Sequence, residues 1–175
     1  MKIPFKYGAT LAIIGIVIGL VSYLLGLHDD LDGFKTINTI TQVVSFALLV
    51  TCMLLAMRAT RAASADGSLS YGRAIGVGTL VATFSGLLSA PYMLLYGFVI
   101  NPEFHELIYR QTTAEMTQEQ VDAAGGMMRF FTGPIWTAGM AVVMSPLMGV
   151  LISLILGLFV RRAPQAATAA AAPAA

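Results

Sequence analysis

Polar positions along this chain come in clusters, and four long runs between them carry neither a charged side chain nor a histidine. The runs are Tyr7 to Leu27, Thr36 to Met57, Ala74 to Pro102 and Phe130 to Val160. A hydrocarbon core about 30 Å thick takes roughly 20 helical residues at about 1.5 Å each, and every run reaches that length. Helices of a soluble core average about 11–12 residues and keep a polar face, which these runs lack. The pattern predicts an all-α integral membrane four-helix bundle. It has two transmembrane hairpins, with spans at about 7–27, 36–57, 74–100 and 133–160.

The connections carry their own signals. The first, HDDLDGFK, is short and acidic, and the second, RATRAASADGSLSYGR, contains the turn pair Asp66-Gly67. The third, residues 101–129, is long enough for two short amphipathic helices near the outer membrane surface. Pro102 can open one, with Phe104, Leu107 and Ile108 on one face. Thr117 and Gln120 match a capping box for the other, and Gly125-Gly126 is expected to end it before the fourth span. Pro134 suits the first turn of that span. Pro91 and Pro146 fall inside spans and are expected to kink them, with Ser89 and Ser145 close to the freed carbonyls. Residues 1–162 read as one four-span domain, and 163–175, rich in alanine and proline, as a disordered tail.

Charge sets the orientation. Only 11% of residues are charged, against roughly 25% in an average soluble domain. Lys2, Lys6, Arg58, Arg61, Arg73, Arg161 and Arg162 lie on one side of the spans with a single acid, Asp66. Asp29, Asp30, Asp32, Glu103, Glu106, Glu115, Glu119 and Asp122 lie on the other, against Lys35, Arg110 and Arg129. The positive-inside rule makes the first side cytoplasmic, with both termini inside. The first apolar run is too long for a signal-peptide core and lacks a small-x-small cleavage site, so it reads as an uncleaved span. The single cysteine, Cys52, allows no internal disulfide and no cysteine metal cluster.

The stretch GSLSYGRAIGVGTL, residues 67–80, has the glycines of a phosphate loop but not its chemistry. No Lys-Ser/Thr follows the glycines, and no GxGxxG follows a strand. It reads instead as the entry of the third span, capped by Ser70, with Arg73 at the lipid phosphates. Small residues line two spans in alternating steps of four and three. They are Gly8, Ala12, Gly15, Gly19, Ser22 and Gly26 in the first, and Gly72, Gly76, Thr79, Thr83, Gly86 and Ala90 in the third. Each pair, such as Gly8 and Gly72, lies 64 positions apart. Two readings stand side by side: a duplicated hairpin whose spans one and three meet along these seams, or the general abundance of small residues in such helices. The fourth span adds Ser145, Gly149, Ser153 and Gly157. All these small residues are expected to serve helix packing.

Candidate chemistry is sparse. No Asp, Glu, Lys, Arg or His lies within a span core, although proton-coupled carriers and intramembrane hydrolases need one. Asn38 and Gln42 are the most polar groups there, and interhelical hydrogen bonding is the expected role. In HDDLDG, His28, Asp30, Asp32 and Gly33 occupy the first places of a calcium loop, but position twelve is Thr39 rather than a bidentate glutamate. Met140, Met144 and Met148 form a stripe that suits packing better than a copper relay. Tyr23, Tyr92, Tyr96 and Trp136 fit interfacial belts. No catalytic, cofactor or metal residue is expected, and no nucleic-acid partner.

Four features together carry a family resemblance: KYG entering the first span, GSLSYGRAIGVG entering the third, NPEF opening the third connection, and SPLMGVLISLILGLFVRR at the end. With them the chain resembles, from about residue 3 to Arg162, the bacterial membrane family catalogued as domain of unknown function 4199. The resemblance implies a four-span protein of the bacterial inner membrane and transfers no activity. The expected function is non-enzymatic, structural or regulatory, through helix packing with lipid around it and with a membrane-protein partner or a second copy. The alternative is a small homo-oligomeric transporter or channel with Asn38, Gln42, Thr79 and Thr83 along its path.

Overall fold

The structure is a computed structural model, described for residues 1–27 and 31–161. The expectations for His28, Asp30, the side chain of Asp32 and the tail 163–175 lie outside the described residues. The described chain is helical: α1 (Lys2–Leu24), α2 (Leu31–Ala62), α3 (Tyr71–Leu95), α4 (Phe104–Thr113), α5 (Gln118–Thr132) and α6 (Pro134–Val160). A π-helical segment, Tyr96–Ile100, prolongs α3 and is closed by Asn101 N–H on the Tyr96 carbonyl at 2.7 Å. Four stretches are long and apolar enough to cross a membrane: Lys2–Leu24, Gly33–Ala62, Tyr71–Ile100 and Pro134–Val160. Large apolar side chains such as Ile13, Val17, Val43, Leu151 and Phe159 stand exposed on them. That is the surface of a multi-pass membrane protein, for which lipid rather than water is the solvent.

The helix ends follow local chemistry. Pro4 sits in the first turn of α1, where a missing N–H has no intrahelical duty, so that helix starts before residue 7. Ser70 caps α3 by accepting from Arg73 N–H at 3.4 Å. Ahead of it Gly67 takes φ +61°, which only glycine adopts freely, and the Asp66 carboxylate accepts from Ser68 N–H at 3.1 Å. Thr117 and Gln120 form both arms of the capping box on α5. One expectation is corrected here. Gly125-Gly126 does not end α5, which runs on to Thr132 and stops at Gly133 in extended backbone. Each glycine costs a helix roughly 1 kcal/mol. Here the Arg129 guanidinium, 4.5 Å over the Tyr109 ring and 3.1 Å from Glu106, holds the later turns against α4.

α3 is the centre of the bundle, and α6 packs along its whole length. The contact is a zipper of small residues in steps of four. Gly86 faces Ser145, Ala82 and Thr79 face Gly149, Gly78 faces Ser153, and Ala74 and Tyr71 face Gly157. A Cβ on Gly149 would stand 2.8 Å from Ala82 Cβ and 3.0 Å from Thr79 Cα, so only glycine allows this approach. Such closeness is what holds helices together where lipid is as apolar as leucine. Tyr71 Oη donates to the Leu154 carbonyl at 3.0 Å and locks the register. Met53, Met57, Leu69 and Val81, all fully buried, fill the end that carries Arg58, Arg61, Arg73 and Arg161, here called the basic end.

Candidate functional site

The bundle is not packed evenly. On α2 no residue between Phe34 and Cys52 is buried, and on α6 none between Ala138 and Gly149. α2 and α6 meet in the core at the basic end and part toward the other end, which carries α4 and α5. The result is a cleft with two cavities of about 350 Å³ each, both bordered by Gly15, Ser45 and Ser89. One is walled by Leu11, Leu48, Ala82, Met144 and Met148, with Ser85 and Ser145. The other adds Asn38, Thr41, Tyr92, Tyr96, Phe104, His105 and Thr137. Its roof is aromatic: Phe104 stands edge-on to Phe34 at 5.5 Å and to Tyr96 at 5.0 Å.

Every polar group on these walls except His105 is uncharged at physiological pH. Asn38 Nδ2 donates to Gln111 Oε1 at 3.5 Å, tying α2 to α4. The Tyr92 hydroxyl is buried without a hydrogen-bond partner among the described residues and rests on Gly19, where a Cβ would stand 3.2 Å away. His105 Nδ1 lies 2.7 Å from the Thr132 carbonyl, so this nitrogen carries the proton and donates. Nε2 then holds a lone pair; it is buried against Gly97 without a partner among the described residues. Burial disfavours the imidazolium and lowers the His105 pKa from 6.5, with the Thr132 carbonyl opposing. A wall of hydroxyls, one amide and a neutral imidazole can hydrogen-bond a neutral group inside an apolar cavity. Among the described residues no three His, Cys, Asp or Glu side chains gather.

The expected packing residues separate into different roles. Gly8 lies under α3, where a Cβ would meet Phe84 Cβ at 2.7 Å and the Val81 carbonyl at 2.8 Å, and Ala12 is buried beside it. Gly19 sits under Tyr92, while Gly15 borders open space in the cleft. Spans one and three therefore do touch, but not small face to small face. Gly8 lies opposite Val81–Ser85, well past Gly72, and the glycine face of α3 is turned to α6. Gly86, Gly149, Ser153 and Gly157 stand in the α3–α6 zipper, and Thr79 joins it through its backbone. Gly72 and Gly76 are exposed with nothing near them. Thr83 donates to its own helix at the Thr79 carbonyl, 2.8 Å away.

The four polar candidates for a path do not come together: Asn38 lines the cleft, Gln42 is exposed, Thr79 faces α6 and Thr83 bonds within α3. Ser145 donates to the Ala141 carbonyl, not to the Val142 carbonyl that Pro146 frees. Tyr23, Tyr92 and Tyr96 do not form an outward belt either. Tyr96 is buried and stacks within 6.0 Å of Tyr23 and 5.7 Å of Tyr92. The sequence reading missed Gly78, Ala74 and Ala82. The signal was present: the α6 ladder steps by four, and so does Ala74, Gly78, Ala82, Gly86. Tyr92, His105 and the cleft serines had no such signal, since only the packing of α1, α2, α3 and α4 around one cavity gathers them.

No curated protein and no solved structure matches this chain. A family model does, over residues 6–162, the region that contains all six helices from the first turns of α1 onward. The chain belongs to that family, the proteins of unknown function DUF4199.

Proposed function

We propose that this chain is a non-enzymatic protein of the bacterial inner membrane that holds a small apolar molecule in the cleft between α2 and α6. Both termini lie on the cytoplasmic side, and α4 and α5 lie against the outer membrane surface as an amphipathic cap. The charge segregation supports that orientation. The cap is supported by Leu107, buried beneath α4, while Arg110 and Glu119 stand exposed.

The observation that carries the proposal is the unfilled middle of the bundle. Both cavities open onto the surface of the bundle, so a bound molecule or lipid chains, not vacuum, fill them in the membrane. Ligand pockets of about 300–1,000 Å³ with few polar groups are ordinary. Met53 and Met57 fill the basic end, which favours holding over passage.

Native mass spectrometry of the full chain, released directly from its membrane, tests this. The wild type is expected to carry a stoichiometric small molecule. Gly15→Leu, which fills the cleft from a position with open space, is expected to lose it while unfolding like the wild type. A wild type that flies bare from the membrane would falsify the proposal. A second reading, packing against a partner or a second copy, rests on Gly72 and Gly76. They leave α3 open to another helix. Efficient cross-linking of a Gly76→Cys variant into a homodimer or a heterodimer favours it.

A further inference from the structure

We propose that the groove between the basic ends of α2 and α6 binds the phosphate headgroup of an anionic phospholipid. The groove, a cavity of about 500 Å³, is lined by Leu54, Arg58 and Arg61 from α2 and by Leu156, Phe159 and Val160 from α6. The three α2 residues recur at helical spacing and form one face. Leucine stands deeper in the bundle and the arginines at its edge, so the groove passes from apolar to cationic along its length. Phe159, 81% exposed, extends the apolar wall into the lipid region.

The two arginines are available. Among the described residues, neither guanidinium makes an ion pair or a hydrogen bond; the ion pairs found there join Glu106 to Arg110 and Arg129 at the far end. Asp66, the acid nearest in sequence, is engaged by Ser68 through its N–H at 3.1 Å and its hydroxyl at 2.7 Å. Arg73 is engaged by Ser64 Oγ at 3.2 Å. Two guanidinium groups thus stand over an apolar slot with no protein anion. A guanidinium matches the oxygens of a phosphate in pairs, and basic pockets between helices at the cytoplasmic boundary attract anionic headgroups. The carbonyl end of α2 disfavours an anion by about two- to fivefold. Two arginines near a membrane surface favour it by about fivefold each, which outweighs that opposition. A zwitterionic headgroup would bring an ammonium against the same arginines, so charge selects the anionic lipid.

The test is native mass spectrometry of the full chain in an equimolar mixture of phosphatidylglycerol and phosphatidylcholine with matched acyl chains. The wild type is expected to retain phosphatidylglycerol in preference. Arg58→Gln with Arg61→Gln is expected to weaken that preference by roughly 25-fold, from about fivefold per arginine. Arg110→Gln, at the far end of the bundle and paired with Glu106, is expected to leave it unchanged. Should the double variant not fold, Arg61→Gln alone is expected to lose about fivefold. The proposal is overturned if the wild type retains both lipids equally or if the groove Gln variants keep the preference. Arg110→Gln losing as much, or millimolar inorganic phosphate displacing the lipid, overturns it too, the last by making this a site for the free anion.

Discussion

Among the glycines, space decides which ones matter. At Gly149 a single methyl would press on Thr79 Cα and Ala82 Cβ, at 3.0 and 2.8 Å, and neither neighbour can step aside. Gly149→Ala is expected to destabilise the bundle by about 1–3 kcal/mol, the usual cost of overpacking. Gly76 has nothing within 4 Å, and alanine is the better helix former. Gly76→Ala is expected to be neutral or stabilising by up to about 1 kcal/mol. Detergent-driven unfolding of both variants checks the contrast, and equal effects would refute the zipper. His105 gives the residue scale a pH dependence. Its pKa is lowered from 6.5 by burial, so below that pH the unfolded chain binds more protons than the folded one. The contribution is whole above the ordinary histidine pKa and is lost as pH falls toward the folded value. Protection factors of the α4 amides, corrected for the intrinsic pH dependence of exchange, should therefore fall on acidification. His105→Asn, with no titrating ring, should lack that slope; a slope that persists removes His105 as its source.

At the scale of elements, caps and turns were legible because they are local. Ser70, the Asp66-Gly67 turn and the Thr117–Gln120 box each depend on a few adjacent residues. Thr117→Ala is expected to cost about 1 kcal/mol of α5 stability, seen as faster amide exchange in its first turns while α3 and α6 stay protected. Unchanged exchange would mean that packing on α4, not the cap, holds that end. The glycine pair in α5 misled for the opposite reason. Propensity predicts a break at Gly125-Gly126, but Glu106 and Tyr109 reach across from α4 to Arg129 and carry the helix past it. A local penalty was overridden by a contact distant in sequence.

For the whole molecule, the orientation with both termini inside makes a direct prediction. An impermeant thiol reagent added to intact cells is expected to label Thr112→Cys, on exposed α4, and to spare Ser68→Cys, in the connection between α2 and α3. Native Cys52 is buried and gives little background. The reverse pattern would invert the topology. It would also move the arginine groove away from the leaflet whose anionic lipids it is proposed to bind.

The four spans, the basic and acidic ends and the family were all readable from the chain alone. Hydrophobic length, charge and short motifs are properties of contiguous residues, and the bilayer acts on them one segment at a time. Which glycine meets which helix was not readable, because a helix has several faces and small residues stood on more than one. The face in steps of four won on α3 since only it matches the ladder of α6. The cleft is further still from the sequence. Ser45, Ser89, Tyr92 and His105 sit on three different helices, and they share a wall only because α1, α2, α3 and α4 are brought round one cavity in the folded bundle.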